Sequence, residues 1–180
     1  MIDASISTEY TSKSSARTPA GRRFQYKSMP LQYPSLSPAI AVRNGAEAIE
    51  FYKKAFGAEE RYRLIDPESG KIGHAEITIN GALLMLSDEY PQFNKAPETL
   101  GGVSAKYLIM CDDVDAAFKR AVDAGAEVVM PLNNQFYGHR DGRVRDPFGH
   151  EWLLSQMVED VSPEEMQRRW DAMVKKPDAG

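Results

Sequence analysis

From residue 36 onward, the polar and apolar positions alternate in a way that spells out short elements. Residues 36–43 are an apolar run that predicts a strand. Asn44 then offers a helix N-cap, with Glu47 three residues later as its capping-box partner. Ala46, Ile49, Tyr52, Lys53 and Phe56 fall at helical spacing, and Gly57 is placed to end that helix. Residues 59–65 read as a strand and residues 66–70, with Asp66, Pro67 and Gly70, as a turn. Strands follow at 72–79 and 82–87, joined by Asn80 and Gly81, a two-residue hairpin signal. The order is β-α-β-β-β.

Residues 89–102 carry Pro91, Pro97, Gly101 and Gly102 and read as a connector. The same order then returns. A strand is expected at 103–111, with Asp112 as the cap of a helix whose buried stripe is Val114, Ala117, Phe118 and Val122, closed by Gly125. A strand at 127–130 should be interrupted or end at Pro131, another should span about 137–145, and a last one 150–156. Asp146, Pro147, Phe148 and Gly149 form the turn between the last two. Ser162, Pro163 and Glu165 open a further helix to about Val174, carrying Met166, Arg169, Trp170 and Met173. It has no counterpart in the first block. Its apolar stripe predicts packing on the body or on a neighbouring subunit.

The two blocks are related by an offset of 68 residues. Gly57, Ala58 and Glu59 recur as Gly125, Ala126 and Glu127; Gly70 maps onto Gly138, Gly81 onto Gly149, and Ser87 onto Ser155. A repeat of this size is too long for a solenoid unit and points to two copies of one supersecondary block. The expected organisation is an N-terminal segment, 1–34, that is either a flexible tail or a docking arm; a domain over 35–158; and a C-terminal helix and tail, 159–180. The domain divides into module 1 at 35–88, a linker at 89–102, and module 2 at 103–156.

Composition narrows the function classes. The 180 residues carry a net charge of −4 and a pI near 5.5, which argues against nucleic acid as a partner. A single cysteine, Cys111, excludes an internal disulfide and suits a reducing compartment, so a cytoplasmic location is expected. No apolar run is long enough for a membrane span, and no secretory signal is visible.

Several motifs are similar to those of a known family. They are residues 47–52, Phe56 to Glu59, His74-Ala75-Glu76, Leu86 to Glu89, Asp112 to Ala116, Phe136-Tyr137-Gly138 with Arg140, and Asp146 to His150 with Trp152. Together with the duplicated block they resemble the vicinal oxygen chelate superfamily of glyoxalase, bleomycin-resistance and dioxygenase proteins, in its PhnB-like branch. The resemblance implies an α+β fold of two tandem βαβββ modules, each a half-barrel, with a cavity between them. It also implies a homodimer, with modules exchanged between chains in some members. Metal-using relatives take one ligand from the first and one from the last strand of each module. Carried onto this chain, those positions are Ser37 to within one residue, Met85, Ala105 or Lys106, and Leu153. None is a usual ligand for a divalent ion, and Lys106 would repel one. No metal and no other cofactor is therefore expected at that place, although a displaced metal site remains open.

The remaining candidates come from alternation and side-chain chemistry. His74, Glu76 and Thr78 should share a strand face, opposite Ala75, Ile77 and Ile79. His74 and Glu76 are candidates for proton transfer or a displaced metal site, or else a hydrogen-bonded pair at the cavity wall. A recognition wall is expected from Gln135, Tyr137 and Arg140, joined by Met85, Lys106, Glu151 and Leu153. The alternative for Arg140 is an ion pair with Asp141, Asp146 or Glu151, and Arg143 and Arg145 are expected on a solvated or ion-paired face. His150 and Trp152 are expected to be structural, His139 to be an exposed loop residue, and Cys111 to be an inert thiol. No nucleophile arrangement and no strand leading into G-x-G-x-x-G is present. Three readings follow: a homodimer that binds a small organic molecule without metal, an enzyme (lyase, isomerase or dioxygenase-like) using His74 and Glu76, or an interaction protein held together by its terminal segments.

Overall fold

The computed structural model describes residues 33–175. Most of the expected N-terminal tail or arm lies outside the described residues. Module 1 is formed by β1 (Ala39–Val42), α1 (Gly45–Phe56), β2 (Glu59–Ile65), β3 (Ile72–Ile79) and β4 (Ala82–Asp88). A short helix, α2 (Pro97–Leu100), lies in the connector, where the sequence predicts none. Module 2 repeats the order as β5 (Lys106–Met110), α3 (Val114–Asp123), β6 (Glu127–Asn134), β7 (His139–Arg145) and β8 (Glu151–Met157), and α4 (Pro163–Val174) closes the chain.

Each module is a four-stranded mixed sheet, ordered β1-β4-β3-β2 and β5-β8-β7-β6. In both, the first strand pairs parallel with the last and the other neighbours run antiparallel. The local signals explain the ends. Asn44 accepts from the Glu47 amide, and Gly57 sits at φ 68 after α1. Asn80 and Gly81 both take positive φ, 48 and 79, as a two-residue hairpin requires. Ser162 caps α4 with Pro163 in its first turn.

One boundary differs from the sequence expectation, and the structure decides another between interruption and end. The cap of α3 is Asp113 rather than Asp112; its side chain accepts from the Ala116 amide. β6 continues through Pro131 to Asn134. It is an edge strand, and register shifts flank Met130, so the missing proline N–H disrupts no interior ladder.

One apolar cluster joins the modules. It holds Ala48, Ile49, Phe51, Tyr52, Ala55 and Phe56 of α1, Ala75 and Ile77 of β3, Val114, Ala117 and Ala121 of α3, and Val144, Trp152 and Leu154 of sheet two. Ala46 and Lys53, expected on the α1 stripe, lie off this buried set, as does Val122 of α3. The Trp152 ring lies 4.7 Å from Phe56 and 5.3 Å from Tyr52, centroid to centroid. Burying each such side chain stabilises the fold by about 1.5–3 kcal/mol. Asp146 anchors the joint. Its carboxylate accepts from the amides of Phe148 and His150, from Trp152 Nε1 at 2.9 Å and, across the modules, from the Tyr52 hydroxyl at 2.8 Å. His150 Nε2 lies 3.0 Å from the Ala41 carbonyl of β1. His150 and Trp152 are thus structural.

α4 has no buried residue. It rests on the body through Trp170 against Phe136 and through Arg169, which donates to the Phe136 carbonyl and pairs with Glu159.

Candidate functional site

Because the core-facing sides of both sheets belong to one cluster, the opposite side of each sheet looks away from the core. Strand alternation sets which residues those open faces carry. On β3, Ala75, Ile77 and Ile79 enter the core, so His74, Glu76 and Thr78 point the other way, as the sequence predicts. Glu76 pairs in register with Met85 on β4, and Met85 with Ala39 on β1.

Glu76 is the centre of this face. Its side chain is only 1% exposed even though the face is open, because neighbouring side chains cover it. Tyr33 and Tyr62 both donate hydroxyls to Oε1, at 2.9 and 2.8 Å. His74 Nε2 lies 3.5 Å from the same oxygen, and Arg61 Nη1 lies 3.1 Å from Oε2 without hydrogen-bond alignment. Burial alone would raise the Glu76 carboxyl. The donors Tyr62, Tyr33 and His74 and the charge of Arg61 outweigh it and hold the carboxyl below its ordinary value. Glu76 is therefore an ionised acceptor at neutral pH. Burial, then the bond to Glu76, pushes the Tyr62 hydroxyl well above its usual range. The register shift between Glu60 and Tyr62 is what brings both Arg61 and Tyr62 against the acid.

The open face of module 2 is built differently. Lys106, Leu108 and Met110 project from β5, with Leu108 57% and Met110 47% exposed. Lys106 lies in register with Glu151, and Leu108 with Leu153. Leu153 in turn faces Arg143 across β7. Of the two positions open in the sequence, Ala105 and Lys106, Lys106 is the one that shares this face. Glu151 accepts from Arg143 at 3.1 Å and from Arg145 at 3.0 Å, so its charge is spent within the sheet.

Beside these residues lies a second buried acid, Asp141, which accepts from Gln135 at 2.9 Å and from the Tyr137 hydroxyl. Burial and this acid push the Tyr137 hydroxyl up to about 12. His139 is not an exposed loop residue. It opens β7, and its Nδ1 lies 2.8 Å from the hydroxyl of buried Ser155. Arg140 does not join Gln135 and Tyr137. Alternation turns it to the helix side, where it forms a two-point pair with Asp115 of α3 at 2.6 and 2.8 Å, not with Asp141, Asp146 or Glu151. Cys111 is half-buried, and burial raises its thiol, which fits an inert role.

The expected residues therefore fall into two sets. His74, Glu76 and Met85 share the face of module 1. Lys106, Gln135, Tyr137, Glu151 and Leu153 lie on that of module 2. Among the described residues, no side-chain hydrogen bond or ion pair joins one face to the other. Two grooves, of about 480 and 630 Å³, are lined by other residues, Cys111 and Arg120 among those of one and Phe51 and Phe148 among those of the other. Sequence reasoning missed Tyr33, Arg61, Tyr62, His139, Asp141 and Ser155. The bulge at Arg61 decided two of them, Arg61 and Tyr62, and no residue type announces it.

The metal positions of the superfamily do not fit an ion here. Met85 stands beside Glu76, Lys106 beside Glu151, and Leu153 between Leu108 and Arg143. Two of these surroundings present a cation to the place where a cation would sit. Among the described residues, no three His, Cys, Asp or Glu side chains converge on one point. Three buried side-chain atoms lack a hydrogen-bond partner among the described residues: Ser37 Oγ, Glu76 Oε2 and Arg143 Nε. Native folds leave few such atoms. None of the three belongs to the apolar core. Ser37 is the first mapped position, and Glu76 and Arg143 face the second and fourth, Met85 and Leu153.

Comparison with known proteins agrees with this architecture. The Mycobacterium bovis protein Mb0911c is 46% identical over 138 residues, spanning 74% of this chain and 90% of its own. Among solved structures, TioX from Micromonospora sp. ML1 is 28% identical, with a TM-score of 0.55 over 68% of this chain and 98% of TioX. The PhnB protein of Bacillus cereus has a TM-score of 0.54 over 68% of this chain and 99% of its own; at 21% identity that likeness is one of fold. No described helix is long and apolar enough to cross a membrane. A family model matches residues 36–154, and the chain belongs to the Glyoxalase/Bleomycin resistance protein/Dioxygenase superfamily.

Proposed function

We propose that this chain binds a small organic molecule on the open face of module 1, around Glu76, without a metal at the superfamily's usual positions. The observation that carries the reading is the buried, ionised Glu76 carboxylate on the side of the sheet away from the core, with one oxygen left without a hydrogen-bond donor. A ligand that donates a hydrogen bond to this carboxylate would be held by it. The chain works as a homodimer, and the exposed Leu108 and Met110 of module 2 supply the apolar surface that a second copy covers.

The test has two arms. A thermal-shift screen of small acids, aromatics and thiol adducts should give compounds that raise the melting temperature of the wild type and fail with Glu76→Gln. Sedimentation should give a dimer that Leu108→Glu converts to monomer. A stoichiometric divalent ion required for turnover would overturn the binding reading.

A second reading is favoured by His74 Nε2 at 3.5 Å from Glu76: an enzyme in which the acid orients the imidazole for proton transfer. It expects His74→Ala to abolish turnover with the fold intact.

A further inference from the structure

We propose that Tyr33 is a built-in occupant of the module 1 site, and that the ligand which replaces it is a neutral phenol. The inference rests on the reading that the site lies around Glu76, and it adds the chemical class of the ligand.

Tyr33 belongs to no strand. Its side chain reaches Glu76 from the segment before β1, and the residue is half exposed. Its hydroxyl donates to Oε1 at 2.9 Å, and the Arg61 guanidinium lies 5.9 Å from the centre of its ring. A half-exposed ring gains little from burial, so the bond to a buried carboxylate and the cation over the ring are what hold it there. Both contacts are made by the side chain, and neither depends on its being joined to the backbone. A free molecule with a hydroxyl on an aromatic ring satisfies the same two partners.

The surroundings disfavour charged ligands and rings without a donor. An anion would face the Glu76 carboxylate. A cation would compete with Arg61, which already stands 3.1 Å from Oε2. A ring without a donor would leave Glu76 short of a hydrogen bond in a buried place, a costly state. Tyr62 remains as the second donor when Tyr33 leaves, so exchanging one phenol for another keeps the carboxylate's shell unchanged. Tyr33 competes as a tethered group at high effective concentration, which weakens any free phenol in the wild type.

The probe is p-cresol, the detached tyrosine side chain, titrated into the full-length protein by calorimetry and ligand-observed NMR, with toluene as the control that lacks the hydroxyl. Tyr33→Ala should bind p-cresol at least about tenfold more tightly than the wild type, as loss of an intramolecular competitor requires. Toluene should not bind, and Glu76→Gln in the Tyr33→Ala background should remove most of the gain. Circular dichroism checks the fold of each variant, and Tyr33→Phe, which keeps the ring and removes only the donor, gives an intermediate gain. Equal p-cresol binding to wild type and Tyr33→Ala, or binding indifferent to Glu76→Gln, overturns the inference. If p-cresol fails while other compounds from the screen still stabilise the wild type through Glu76, the phenol inference falls and the binding function stands. If no compound stabilises either protein, both fall.

Discussion

The two modules share a fold and differ most where that fold is open. In module 1, β4 presents Met85, flanked by small Ala39 and buried Glu76. In module 2, the equivalent Leu153 is flanked by exposed Leu108 and by Arg143. An acid in one sheet thus answers to a base in the other, and an alanine to a leucine. The core sides differ in make-up, with Phe51, Tyr52 and Phe56 of α1 meeting the smaller Val114, Ala117 and Ala121 of α3, yet both feed one cluster. Duplication kept the βαβββ order and an apolar side to each element, which the shared core needs. The open faces specialised, one around the recessed Glu76, the other with projecting Leu108 and Met110 beside Arg143 paired to Glu151.

The heaviest blow to this comparison falls at the joint the modules share. Trp152→Ala should cost about 3–5 kcal/mol by cavity formation. It also frees one acceptor site on Asp146. Denaturant unfolding should show a single shifted transition for the whole described body; two separated transitions would mean that the modules are independent units.

A smaller effect distinguishes the buried acids. Glu76→Gln and Asp141→Asn should each cost about 1–2 kcal/mol, the worth of charge-assisted bonds lost. Only Glu76→Gln should remove ligand binding. The Glu76 carboxyl is held below its ordinary value of 4.5 in the fold. Its contribution is present above that value and is lost as the pH falls below it, toward the folded-state value. Unfolding measured from pH 7 down to pH 3 should show a shallower acid loss for Glu76→Gln than for the wild type; an unchanged slope would remove Glu76 from the account. The smallest effect is expected from Arg140→Ala. Its pair with Asp115 is at the surface, so the melting temperature should barely move and ligand affinity should not change. A strong loss of affinity would return Arg140 to the recognition wall.

How much of this the sequence disclosed depends on the range over which each cause acts. Asn44, Gly57, Asn80, Gly81 and Ser162 act on their immediate neighbours, and the elements begin and end beside them. The cap of α3 slipped by one because Asp112 and Asp113 are equally able, and only the fold selects between them. Alternation put His74 and Glu76 together on one face and His150 and Trp152 on the core side. It also puts Arg140 beside Asp141 in the chain while sending their side chains to opposite sides of the sheet, which residue type alone does not reveal. The 68-residue offset aligns Met85 with Leu153, but in β3 and β7 the equivalence of Glu76 and Arg143 is one residue shorter. The β7–β8 connection is longer than the two-residue β3–β4 turn, and it absorbs the difference.

The sequence by itself determined the duplicated βαβββ order, the turns, most of each buried stripe and the unsuitability of the mapped metal positions. These follow from side-chain chemistry and from periods of two and 3.6 residues, which are local. Only the tertiary structure decided that Tyr33 and Tyr62, far apart in the chain, meet on one oxygen of Glu76, and that Arg140 leaves the recognition wall for Asp115. It also decided that the candidate residues occupy two faces rather than one cavity. Those outcomes depend on a bulge, a strand register and the packing of the two sheets into one core. No short stretch of sequence encodes them, because each is a balance among groups that become neighbours only when the chain has folded.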